Sequence, residues 1–120
     1  MAIGRVVAAA VLGFLFAPAS ASAHAILTQG EPEAGSRVPL GKVVISFRFN
    51  SRIDRFRSRL ALSRPDHSQV VLKISADSPP DLLQTSADLT MPGAYVVRWQ
   101  VLAVDGHITR GDVPFTATDH

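Results

Sequence analysis

The chain of 120 residues contains no cysteine. That excludes a disulfide scaffold, a thiolate zinc site and an iron–sulfur centre, each of which needs the thiol. Other soft sulfur is scarce: there are two methionines, and one of them is Met1. Tryptophan and tyrosine occur once each, so Trp99 and Tyr95 are expected as core anchors and not as a stacking platform. Long apolar runs are missing too. The longest, Val6 to Phe16, falls short of the ~20 residues that a membrane-spanning helix needs. Charge is sparse at 18%, and the balance of +2 loses one more positive group if Arg5 leaves with the N-terminal segment. Neither a disordered chain nor a nucleic-acid binder is expected. The nearest thing to a basic stripe is Arg48, Arg52, Arg55, Arg57, Arg59 and Arg64, broken by Asp54. Only Phe49 and Phe56 interleave it, so it reads as a solvated edge or loop.

What is present begins with a leader. Arg5, the apolar run to Phe16, Pro18 and the small-residue triplet Ala21-Ser22-Ala23 form the n-region, h-region and cleavage pattern of a secretory signal peptide. Ala17-Pro18-Ala19 and Ala19-Ser20-Ala21 also fit a peptidase, but cleavage after Ala23 places the break farthest from the apolar run. The expected division is a signal peptide over residues 1–23 and one domain over 24–120, exported and not membrane-spanning once cleaved. His24 becomes the new N-terminus.

The remainder shows no helix-length apolar stripe. Short strand-like runs stand at 25–28, 43–49, 59–63, 70–74, 87–89, 95–104 and 108–118, separated by Gly, Pro, Asp and Ser. The expected fold is all-β, a seven-stranded antiparallel Greek-key β-sandwich of immunoglobulin-like or cupredoxin-like topology.

Four histidines carry the chemistry: His24, His67, His107 and His120. His120 ends the sequence and His67 lies in a Pro-Asp-His-Ser turn, so both read as bystanders. For His107 the plain expectation is a two-residue Asp105-Gly106 hairpin turn with His107 opening the next strand. An N-terminal His24 offers two nitrogens, an imidazole and an α-amine whose ordinary pKa of about 7.7–8.0 makes its proton easy to displace. Joined by the His107 imidazole and the Asp105 carboxylate, the set is three nitrogens and one oxygen, which suits Cu(II). Cu(I) favours sulfur, and only Met91 would remain after cleavage.

Several stretches then resemble one family. They are His24-Ala25-x-Leu27, Pro32-Glu33-Ala34-Gly35-Ser36, Phe47 after Val43-Val44-Ile45, Met91-Pro92-Gly93-Ala94-Tyr95-Val96-Val97-Arg98-Trp99, and Asp105-Gly106-His107-Ile108-Thr109-x-Gly111. In this order they resemble the CopC copper-resistance family. The resemblance implies a periplasmic Greek-key sandwich that binds Cu(II) through its mature N-terminus, with His24, Asp105 and His107 at the ligand positions. Two departures stand out. The acidic residue some members carry after the strand at 43–49 is replaced by Phe49, Asn50 or Ser51, and no methionine lies between Ser63 and Met91 to form a second, Cu(I) site.

The function expected is a Cu(II) carrier or buffer in copper homeostasis or resistance, with one Cu(II) per chain and no enzyme activity. Its partners would be copper and a membrane copper transporter or another periplasmic copper protein, with no nucleic acid. Two other classes compete. An N-terminal-histidine copper oxidoreductase would need an open position for oxygen, which an Asp105 ligand tends to fill. A structural sandwich would bind no metal, and copper titration separates it from the others.

Overall fold

Alternation of apolar and polar residues builds eight strands in the computed structural model, which describes residues 25–119. They are β1 (Leu27–Glu31), β2 (Arg37–Pro39), β3 (Gly41–Phe49), β4 (Arg59–Ser63), β5 (Gln69–Leu72), β6 (Leu82–Leu89), β7 (Gly93–Leu102) and β8 (Ile108–Thr118). A 3-10 turn, Arg55–Arg57, is the only helical element among the described residues. The strands form a three-stranded sheet, β1-β3-β6, and a five-stranded sheet, β2-β8-β7-β4-β5. The leader over residues 1–23, His24 and His120 lie outside the described residues.

The all-β, two-sheet expectation holds, with two corrections. There are eight strands instead of seven, and the pairing is not wholly antiparallel, because β2 runs parallel to β8 from Arg37↔Thr116 to Pro39↔Thr118. Three residues are too few to show alternation, and the partner of β2 comes from the far end of the chain. β6 is also longer than the expected run at 87–89. Its middle, Gln84-Thr85-Ser86, carries no apolar signal; it is a strand because β3 pairs with it continuously from Gly41↔Leu89 to Arg48↔Leu82.

The core lies between the sheets. Ile45, Phe47 and Phe49 point inward from β3, Leu60 and Leu62 from β4, Tyr95, Val97, Trp99 and Val101 from β7, and Val113, Phe115 and Ala117 from β8. The period of two in these positions is the period of a pleated strand with one buried face. Each large side chain so buried contributes about 1.5–3 kcal/mol. Tyr95 and Trp99 are core anchors as expected. The Tyr95 ring stacks on Phe115 at 5.4 Å, and its hydroxyl donates to the Met91 carbonyl at 2.7 Å, satisfying the buried polar tip. Trp99 meets Phe49 edge-on at 5.2 Å, joining the two sheets.

Candidate metal centre

β7 ends at Leu102 and β8 begins at Ile108, so the turn between them spans residues 103–107. It is longer than the two-residue turn the Asp-Gly pair suggests. Ala103 bridges sideways to Ile53 and its N–H donates to the His107 carbonyl at 2.8 Å. Gly106 adopts φ +94°, a left-handed conformation that glycine enters without steric cost, and its N–H donates to the Ala103 carbonyl at 2.9 Å. The His107 N–H donates to Oδ1 of Asp105 at 3.1 Å, an Asx turn that keeps His107 out of the β8 ladder.

That local geometry brings two of the sequence-identified donors together. His107 Nδ1 lies 3.1 Å from Asp105 Oδ2, with the imidazole about half exposed. Adjacent corners of a square-planar site with metal–ligand bonds of about 2.0 Å are separated by about 2.8 Å, close to the observed spacing. The pair therefore fits one edge of such a site. Among the described residues no three His, Cys, Asp or Glu side chains come together.

The third sequence-identified residue, His24, lies outside the described residues, but the chain next to it is firmly held. Ala25 is buried in the core, and its carbonyl accepts from Thr109 Oγ1 at 3.0 Å. The Ile26 N–H donates to Asn50 Oδ1 at 2.8 Å, and the Asn50 N–H donates back to the Ile26 carbonyl at 2.9 Å. The start of the domain is thus fastened two residues beyond His107. Asn50, just after β3, serves as a backbone clamp. Replacing Asn50 with Ala should cost about 0.5–1.5 kcal/mol of stability and accelerate amide exchange at Ile26, while the rest of the sandwich melts as one unit. An unchanged Ile26 exchange rate would mean the clamp does not hold in solution.

Sequence reasoning missed the roles of Thr109 and Asn50. Thr109 did leave a signal: it occupies an inward position on β8, in phase with Val113 and Phe115, where a polar residue needs a partner.

The remaining histidine in view lies elsewhere. His67 is exposed in the β4–β5 turn at φ +70°, with its N–H donating to the Arg64 carbonyl. Ser68 donates to Asp66 Oδ1 through its hydroxyl at 2.6 Å and its N–H at 3.0 Å, which holds the Asp66 carboxyl below the ordinary carboxylate range. Ser63, which leads into that turn, pairs with Val96, whereas the candidate centre follows Leu102. At about 3.3 Å per residue the two are about 20 Å apart. Turn-building accounts for His67, as the sequence suggested.

The sequence profile of the CopC domain matches residues 27–118. The chain belongs to the CopC family. Protein YobA of Escherichia coli K12 is 30% identical over 112 residues, covering 91% of this chain and 90% of that one. The crystal structure of CopC from Methylosinus trichosporium OB3b superposes with a TM-score of 0.69 at 29% identity, over 78% of this chain and 93% of that one. PcoC, a methionine-rich copper resistance protein from Escherichia coli, superposes with a TM-score of 0.62 at 24% identity, over 80% of this chain and all of its own, which speaks to the fold. The described part of this CopC chain has one methionine, Met91. Among the described residues no helix is long and apolar enough to cross a membrane.

Proposed function

We propose that this CopC chain is exported to the periplasm and binds one Cu(II) as cargo, acting as a carrier or buffer in copper homeostasis or resistance. The ligands would be the amine and imidazole of His24, the His107 imidazole and the Asp105 carboxylate. The observation that carries this reading is the hydrogen bond from Thr109 to the Ala25 carbonyl, because it fastens the residue after His24 beside the Asp105–His107 pair. Covalent geometry does the rest: consecutive Cα atoms are 3.8 Å apart, so residue 24 starts within one peptide of a point already tied to β8. The donor chemistry agrees, since nitrogen and carboxylate oxygen suit Cu(II) better than Cu(I). The chain is read as a binding protein and not an enzyme.

Competition titration of the exported protein tests this directly. One equivalent of Cu(II) should bind tightly and Cu(I) poorly. Replacing His107 with Ala should weaken Cu(II) binding about tenfold through loss of one nitrogen donor, whereas replacing His67 and His120 together should change little. A second tight copper equivalent, or an effect of His67 equal to that of His107, would assign the site elsewhere.

A further inference from the structure

The end of the sandwich that carries Asp105 and His107 also presents an unusual aromatic. Phe56 is 93% exposed, the extreme among the large hydrophobic side chains of the described residues. Its backbone is far from loose. Asp54 Oδ1 accepts from the Phe56 and Arg57 N–H groups at 3.1 and 3.3 Å, capping the 3-10 turn. The Asp54 N–H donates to the Leu102 carbonyl at 2.8 Å, and Ser58 Oγ donates to the Asp54 carbonyl while accepting from the Leu102 N–H. Arg55 donates through Nη1 to the Ser78 carbonyl. A benzyl side chain is therefore displayed on a turn whose backbone is tied down by these hydrogen bonds, with the free energy of burying it unused. Pre-ordered aromatic side chains lose little entropy on contact, which is why they recur as interface anchors.

The surroundings of Phe56 define what could cover it. Leu102, to which the turn is tied, precedes the turn holding Asp105 and His107, and three residues of chain span at most about 11 Å. Val104, 70% exposed, lies on that turn, and Ile26 and Ile108 are exposed at the same end. Arg57 adjoins Phe56 in the chain and Arg52 precedes the turn, both exposed, and Arg57 meets only a loose ion pair with Asp54 at 3.8 Å. Between Arg48 and Arg59 the sequence has five arginines against the single acid Asp54.

We propose that this end face is a docking surface for a protein partner whose own surface is acidic around an apolar pocket that receives Phe56. Arg52 and Arg57 supply the steering charge and Phe56 the anchor. A folded protein suits the face better than an anionic bilayer does, because it can set discrete acids against Arg52 and Arg57 and none against Asp54 and Asp81, whereas a uniformly anionic lipid surface would oppose both carboxylates. Docking stands independently of the metal. That copper passes to or from the partner at this contact rests on the copper reading above.

The experiment uses the exported full chain in its own cells, with the photo-crosslinker p-benzoylphenylalanine at position 56 or, as a control, at the exposed Val44 on β3. The expected result is a discrete protein adduct from position 56 and none from position 44, with the cross-linked segment rich in Asp and Glu. Combining Arg52→Glu with Arg57→Glu should reduce the adduct about tenfold. The same adduct should form again from the two purified proteins and weaken with added salt. Phe56→Ser should leave folding and Cu(II) affinity unchanged, since the side chain buries nothing. Equal yields from both positions, an adduct indifferent to charge reversal, or an adduct with a second copy of the chain would overturn the proposal. So would cosedimentation with phosphatidylethanolamine–phosphatidylglycerol vesicles that is lost in Phe56→Ser. A specific acidic partner found for a protein that fails to bind Cu(II) would overturn the copper reading and leave the docking surface standing.

Discussion

One residue added ahead of His24 should lower Cu(II) affinity well over tenfold, more than about 1.4 kcal/mol of binding free energy. Such an extension keeps every side chain of the proposed centre and moves only the α-amine out of its chelating position. The loss should therefore be specific to copper. Thermal stability without metal should hardly change, because the addition lies ahead of Ala25, which remains buried in the core. A single extra residue is a cleaner test than restoring Ser22-Ala23, which would place histidine third and recruit backbone nitrogens into a different chelate. The readouts are the copper d–d spectrum and a competition titration. If both are unchanged, the amine is not a ligand and the reason for giving His24 its role disappears.

The second large effect is on the fold. Gly111 pairs with Trp99 across β7 and β8, and a Cβ added there would stand 2.5 Å from Cζ2 and 2.6 Å from Cε2 of the indole. No real contact is that short, and the indole cannot retreat freely, because Phe49 packs against it edge-on. Gly111→Ala should therefore cost about 1–3 kcal/mol through overpacking. In a domain of this size each kcal/mol corresponds to about 4–8 °C in melting temperature. Adding Trp99→Phe should recover part of the loss, and the coupling between the two changes would show that the indole is the cause. An unchanged melting temperature in Gly111→Ala would mean that β8 moves aside more easily than its continuous pairing with β7 suggests.

How much of this could be read from the sequence depends on what kind of signal each residue leaves. β3, β4, β7 and β8 were legible because one face of each is buried, and burial on one face writes a period of two into the residue order. β2 was not legible, since three residues carry no period and its partner lies at the other end of the chain. The polar middle of β6 was misleading for a related reason: its place is set by backbone pairing with β3, which side-chain identity does not encode. In the candidate centre, Asp105 and His107 were legible from donor chemistry and their closeness in the chain. The nearness of Ala25 to β8 was not. It depends on Thr109 and Asn50 reaching across to Ala25 and Ile26, long-range hydrogen bonds that no local spacing could reveal.

The small β2 strand has a consequence for how the molecule behaves in a crowded compartment. β8 is the longest strand, and without β2 its outer rim of N–H and C=O groups would be an open template for another chain. Instead Gly35 donates to the Pro114 carbonyl, the Thr116 N–H donates to the Ser36 carbonyl, and Leu40 donates to the Thr118 carbonyl, so the segment sews over that rim. The strand that does this is itself a poor template, being three residues long and ending in Pro39, which has no N–H to offer. The five-stranded sheet is thereby finished on this side with a selvedge that lets no further strand be added. Pairing of another chain along the β8 rim is thus blocked by a segment that contributes little to the core and touches none of the proposed ligands.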